Sequence, residues 1–269
     1  VKAQDIHFSQ ITASPLNINP ALTGLFKSDM RFIANYRNQW AAVTTPYVTS
    51  SASADLNIRP NKLRKDFIGT GMLVNVDKAG EASFTTLQLM PSISYCKALN
   101  NNKVLLSYGI QVGIIQQRFN PDNLTFDRQY NGDVFDAGAS TGEAFTGTSS
   151  LSLDAATGFN LFVQPNDKFY INNGISISHV NKPTFSFTNG NLSELQRRFT
   201  IHGGAYIRLA KKIELLPGYI VMFQGGSSEY NIGSFMKISS GNYKTQYKDL
   251  AFYGGIFYRL KNYDALILN

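Results

Sequence analysis

The sequence contains no run of about 18 consecutive apolar residues, so a membrane-spanning helix is not expected. Strands cross a bilayer too, and their alternation hides from hydropathy averaging, so a membrane is not excluded. Cysteine is almost absent. Cys96 stands alone, can form no disulfide within the chain, and reads as a small strand residue. Three histidines, His7, His179 and His202, form no His-x-x-x-His pair and stand beside no Cys or carboxylate at metal spacing. Neither a metal nor a cofactor is expected. Charge is scarce, at 16% of residues against about 25% in an ordinary soluble domain. The formal balance of +7 is spread along the chain, with one dense cluster at Arg59, Lys62, Arg64 and Lys65. Without a nucleic-acid module, phosphate-binding glycine loop or nucleophile elbow, nucleic acid is not an expected partner and no catalytic role is expected.

What the chain does have is alternation. From Val104 to Ile114 the even positions read Val104, Leu106, Tyr108, Ile110, Val112 and Ile114, against Leu105, Ser107, Gly109, Gln111 and Gly113. Leu151 to Val163, Phe169 to Ser178 and Arg198 to Leu209 repeat the pattern. A soluble sandwich, such as an adhesin domain, alternates as well, but its second face meets water and carries many Lys and Glu. Here the second face carries Gly, Ser, Asn, Gln and Tyr. That chemistry suits a closed barrel with oily residues toward lipid and small or polar residues toward the axis. The fold class expected is all-β, a transmembrane antiparallel β-barrel. Ile110, Phe159 and Ile207 should then face outward, and Gly109, Gly158 and Tyr206 inward.

The expected strands are 29–42, 47–58, 66–78, 84–98, 103–118, 150–164, 168–181, 197–210, 212–224, 228–240, 248–260 and a start at 264–269. Pro91 and Pro217 fall in mid-strand, where a residue without N–H marks a bulge or a break. Short turns alternate with longer connections near 119–149 and 182–196; the turn from Gly241 to Tyr247 fits this least well. Residues 1–28 form an N-terminal segment and 29–269 the barrel. Barrels normally have an even strand count. The visible total of about 12 ends in an apolar run, so the full form is expected to have about 14 strands. Val1-Lys2-Ala3-Gln4-Asp5 reads as the end of a removed signal.

Parity points Arg31, Arg37, Asp55, Asp154, Arg208 and Glu214 inward, either as mutually paired fillers or as selectivity groups of a channel. His202 points inward as well, toward a structural hydrogen bond. In the loop 119–149, Phe126, Tyr130, Phe135 and Phe145 are candidate partner-binding residues, by direct contact or by folding over the barrel mouth.

The opening carries a more specific signal. Gln4-Asp5-Ile6-His7-Phe8-Ser9-Gln10 is followed by Ala13-Ser14-Pro15-Leu16-Asn17-Ile18-Asn19-Pro20-Ala21-Leu22-Thr23-Gly24. Next come Arg31, Asn35-Tyr36-Arg37-Asn38-Gln39-Trp40, Pro46-Tyr47 and Ser51-Ala52-Ser53-Ala54-Asp55, and later Phe257-Tyr258-Arg259 with Asp264-Ala265. This pattern, with Phe8, Ser9, Gln10, Pro15, Asn19, Pro20, Tyr36, Arg37 and Trp40 as its motif, resembles the PorP/SprF family. The resemblance implies an outer-membrane barrel of a Gram-negative bacterium with the N-terminus in the periplasm. It also implies partners in type IX secretion or gliding motility: a secreted adhesin or its C-terminal domain, or other components of the machinery. The alternative reading is a passive transporter for small solutes. The segment 1–28 either packs in the periplasmic mouth of the barrel or extends as a periplasmic tail.

Overall fold

The computed structural model describes residues 5, 6, 8, 13–40, 42, 45–60, 65–121, 124–136, 138–143, 145, 147–188, 191–239, 251–260 and 265–268. One turn of helix, α1 (Pro15–Ile18), and a 3-10 turn (Pro20–Leu22) precede the strands. The strands are β1 (Met30–Gln39), β2 (Tyr47–Ile58), β3 (Phe67–Ala79), β4 (Phe84–Leu99), β5 (Val104–Arg118), β6 (Ser149–Asn166) and β7 (Phe169–Ser178). After β8 (Thr184–Thr188) and β9 (Asn191–Glu194) come β10 (Arg198–Ala210), β11 (Ile213–Gln224), β12 (Ser227–Ser239), β13 (Ala251–Arg259) and β14 (Ala265–Leu268). Twelve strands form one antiparallel sheet in chain order, interrupted only where β7 pairs directly with β10. β8 and β9 pair with each other in a separate hairpin. Among the described residues no helix is long and apolar enough to cross a membrane.

The faces are arranged as a lipid-facing sheet requires. Ile110 is 38% exposed and Phe159 51% exposed, beside exposed Leu106, Leu153, Ile175 and Ile201. The alternate positions are buried, and most are polar: Ser53, Asn75, Gln88, Ser94, Ser107, Gln111, Asn160, Ser176 and Thr200. In a water-soluble fold the burial would be the other way round. Asp55, Asp154 and Glu214 are buried, as their parity requires. Arg31 pairs with Asp55 at 2.7 Å and Arg208 with Glu214 at 3.6 Å.

The sheet is curled around its polar face. Leu16 of α1 packs with Leu73 of β3 and Met90 of β4, while Ile18, two residues on, packs against Ile220 of β11 and Phe257 of β13. A four-residue helix can touch strands so far apart in sheet order only if the sheet wraps around it. Arg37 on β1 likewise lies within electrostatic range of Glu229 on β12 and Arg259 on β13. The interior has two ends. The short-turn end holds the β4–β5, β6–β7 and β10–β11 turns, and the long-loop end holds 119–149 and the β8–β9 hairpin.

Three details differ from the sequence-based expectation. The connection 182–196 holds the β8–β9 hairpin rather than an irregular loop. β7 ends at Ser178 instead of continuing to 181, because His179 adopts a left-handed backbone (φ 55°) that no strand accommodates. Pro91 and Pro217 mark neither bulge nor end. Leu89 pairs with Ile114 and Ser92 with Gln111 in one register, with the ladder to β5 dropping out only between them. Around Pro217 the ladder to β10 lapses in the same way between Gly218 and Leu215. Each proline removes one donor on one side, and the strand continues on its other partner.

Candidate functional site

The centre of the lumen is filled by the chain's own N-terminal segment. Ser14, Leu16, Asn19, Ala21 and Thr23 are buried, with Asn19, Ala21 and Thr23 at 0% exposure. The segment runs along the interior. Asp5 donates its backbone N–H to Gln224 Oε1 near the long-loop end, and Gly24 donates to Asp55 Oδ2 near the short-turn end. A chain lying against a sheet face finds the wall's backbone groups already paired with one another, so it needs polar side chains from the wall. The inner rows supply them. Ser94 Oγ donates to the Thr23 carbonyl, Ser107 Oγ to Ala21, Gln111 Nε2 to Leu16, Ser176 Oγ to Ile18 and an Arg198 guanidinium nitrogen to Asn17. The serine-rich inner rows are thus the partners of an internal ligand that the chain itself provides.

Asn19 is the centre of this arrangement. Its Oδ1 accepts from Ala21 N at 2.8 Å and caps the 3-10 turn begun by Pro20. Its Nδ2 donates to the Phe159 carbonyl at 2.9 Å and the Ile175 carbonyl at 3.2 Å, and lies 3.0 Å from His202 Nε2. His202 thus meets the N-terminal segment in the lumen. Close approach is possible because the wall lacks side chains here. A Cβ on Gly158 would collide with the Asn19 carboxamide, and one on Gly109 with the Pro20 carbonyl. Asn19→Ala removes the cap and leaves buried acceptors unmatched, and is expected to cost about 2–4 kcal/mol. The check is a lowered chemical-denaturation midpoint together with faster amide exchange at Ala21 and Thr23.

The far end of the segment is held by charge. Asp5 Oδ2 lies 2.8 Å from Arg198 and 2.8 Å from His179 Nε2, and His179 Nδ1 lies 2.9 Å from both Asp154 oxygens. Three of these groups sit on or just beyond three different strands, and the fourth belongs to the N-terminal segment. Among the described residues no group of His, Cys, Asp and Glu is arranged to hold a metal.

Of the motif residues, Pro15, Asn19 and Pro20 are buried in the lumen, while Phe8 is half-buried. Tyr36 and Trp40 lie on the outer surface of β1 and at its end, 68% and 63% exposed, and Arg37 points inward between them. Ser9, Gln10 and His7 lie outside the described residues. The four loop aromatics divide. Phe145 packs against Phe119 at 5.2 Å and Phe126 at 6.0 Å, and Phe119 meets Phe187 of β8, forming an aromatic cluster at the long-loop end. Tyr130 and Phe135 bridge each other across a turn and stay 55% and 45% exposed, beside exposed Val134. Sequence reasoning did not find Asn17, Gly109, Gly158 and His179 as parts of the site; the glycines were legible only as small inner-row residues.

An oily outer belt, a polar inner wall and an internal chain segment together define a plugged transmembrane β-barrel. The chain belongs to the type IX secretion system membrane protein PorP/SprF family, which it matches over residues 1–269. Its fold is similar to that in the crystal structure of a Pseudomonas aeruginosa FadL homologue, with a TM-score of 0.51 over 87% of this chain and 67% of that one, at 8% identity. At that identity the likeness is one of fold. A comparison with curated proteins found no match. Family and fold together place the protein in the outer membrane as a component of type IX secretion.

Proposed function

We propose that this barrel acts in type IX secretion as a closed, non-catalytic docking partner in the outer membrane. In this reading it binds an exported adhesin through the adhesin's C-terminal domain, or joins periplasmic components of the machinery, and does not pass solutes. The short-turn end faces the periplasm, where β1 begins, and the long-loop end faces outward. The observation that carries the reading is the filled lumen: residues 14–24 occupy the bore, with Asn19, Ala21 and Thr23 wholly buried. That counts against the passive-transporter alternative, which needs a continuous path. Docking then falls to exposed loops, and Tyr130 and Phe135 offer aromatic anchors of the kind that dominate protein interfaces.

Detergent purification from the native membrane, identification of co-purifying proteins and planar-bilayer recording test this directly. A discrete partner and little conductance are expected. The double variant Tyr130→Ala with Phe135→Ala should lower partner recovery at least about tenfold, as loss of two anchors would, while leaving the heat-modifiable gel mobility of the barrel unchanged. Steady solute flux without a stable partner would end the proposal.

A further inference from the structure

Between the N-terminal segment and the short-turn end the lumen opens into a cavity of about 1410 Å³. This exceeds the roughly 300–1,000 Å³ of common small-molecule sites. Its ceiling is the underside of the segment, with Ile18, Leu22, Leu25 and Phe26. Its walls break the rule of the inner rows. Where the upper lumen carries Ser, Asn, Gln and Gly, this chamber presents Phe67, Leu105, Phe162, Leu216 and Phe235. Apolar lumenal surface left against water is unfavourable, so this lining suits an apolar occupant.

The opposite wall is cationic and hydrogen-bonding. Lys237 Nζ lies 2.9 Å and Arg208 Nε 3.6 Å from the single carboxylate of Glu214, and Tyr206, stacked on Tyr170, donates to the same group. Lys27, Arg31 and Arg59 join these groups in the lining, so that its five cations outnumber its two carboxylates, Asp167 and Glu214. The strip from Gly203 to Ala205 with Gly218 leaves this wall without bulk. Unlike Gly109 and Gly158, which the N-terminal segment fills, Gly218 could take a Cβ whose nearest contact is the Gly203 carbonyl at 3.6 Å.

We propose that this chamber binds an anionic amphiphile, with acyl chain against the aromatic wall and a carboxylate or phosphate headgroup against Lys237 and Arg208. The full chain in zwitterionic nanodiscs would be titrated with a fluorescent fatty acid, its methyl ester and a lysophosphatidic acid. Saturable binding of both acids is expected, with the ester at least about tenfold weaker, as the loss of a charge-assisted contact predicts. Gly218→Trp, which fills the chamber, should abolish binding. Lys237→Met, which keeps the length of the side chain, should reduce the acid-to-ester preference to less than about threefold. Native mass spectrometry of protein taken from its own membrane separates the sources by mass, a free fatty acid or a phospholipid. No saturable binding to the wild type, equal binding to Gly218→Trp, an unchanged acid preference in Lys237→Met, or a peptide adduct in place of a lipid would each overturn the assignment. Lys237→Met keeps the test decisive if the tryptophan variant does not fold.

Discussion

Leucine in place of Gly109 is expected to drive the N-terminal segment out of the lumen. Gly109 sits on the inner face of β5, and an added Cβ would overlap the backbone of Pro20 and Ala21. Backbone held by a cap and by wall serines cannot move aside as a flexible side chain could. Overpacking in a filled interior costs about 1–3 kcal/mol for a small excess, and a leucine adds four carbons where even the first does not fit. What opposes expulsion is a set of hydrogen bonds worth about 1 kcal/mol each, all made by the same short segment, so losing the central ones loosens the rest. The barrel wall makes its own ladders and should survive. Expected results are loss of amide protection from Leu16 to Thr23, protease cleavage within the segment, and conductance well above that of the wild type. Gly254→Leu is the control, because a Cβ there has no neighbour within 4 Å. If the two variants conduct and exchange alike, the segment is not what closes the bore.

The wall was legible in the sequence; for the N-terminal segment two placements stayed open, and the groups that hold it were not legible. Alternation along Val104–Ile114 fixes which residues of β5 face lipid, because a strand has only two faces and the oily row must take one of them. Asn19 is different. Its partners, the carbonyls of Phe159 and Ile175, lie 140 and 156 residues further on. They are backbone groups, which no residue pattern marks. Asn-Pro in an otherwise apolar stretch was visible as a break in regular structure, but the wall it would meet was not. The same distance hid the ion cluster, since Asp5 and His179 are 174 positions apart. The β8–β9 hairpin escaped for the opposite reason. Its strands have five and four residues, too short to show a period, and the Asn189-Gly190 pair between them was the one local hairpin signal.

That ion cluster makes the hold on the N-terminal segment dependent on pH. His179 faces Asp5 from the segment and Asp154 from β6, while Arg198 from β10 reaches Asp5 from the other side and Glu229 from β12 lines the same pocket. Burial, the largest single influence, disfavours a charged imidazole, but the two carboxylates together outweigh it and hold the His179 pKa at about 9, above its ordinary 6.5. Burial also disfavours the Asp5 carboxylate, and there Arg198 and His179 prevail, so its pKa is lowered from 3.8. A raised imidazole pKa contributes stability that is complete below about 6.5 and fades as the pH passes about 9. A lowered carboxylate pKa contributes stability that is present above about 3.8 and lost on acidification. The anchor is therefore firmest between about pH 4 and 6.5. For His179 the span from 6.5 to about 9 corresponds to roughly 3 kcal/mol. Protection of the Ile6 amide, corrected for intrinsic exchange, is expected to fall about a hundredfold between pH 6 and pH 10. His179→Asn should flatten that profile without disturbing the backbone, because asparagine tolerates the left-handed conformation found there. Asp154→Asn should instead move the midpoint to lower pH, since one of the two carboxylates holding the proton is gone. A wild-type profile that His179→Asn leaves unchanged would show that the segment is anchored by its backbone contacts alone.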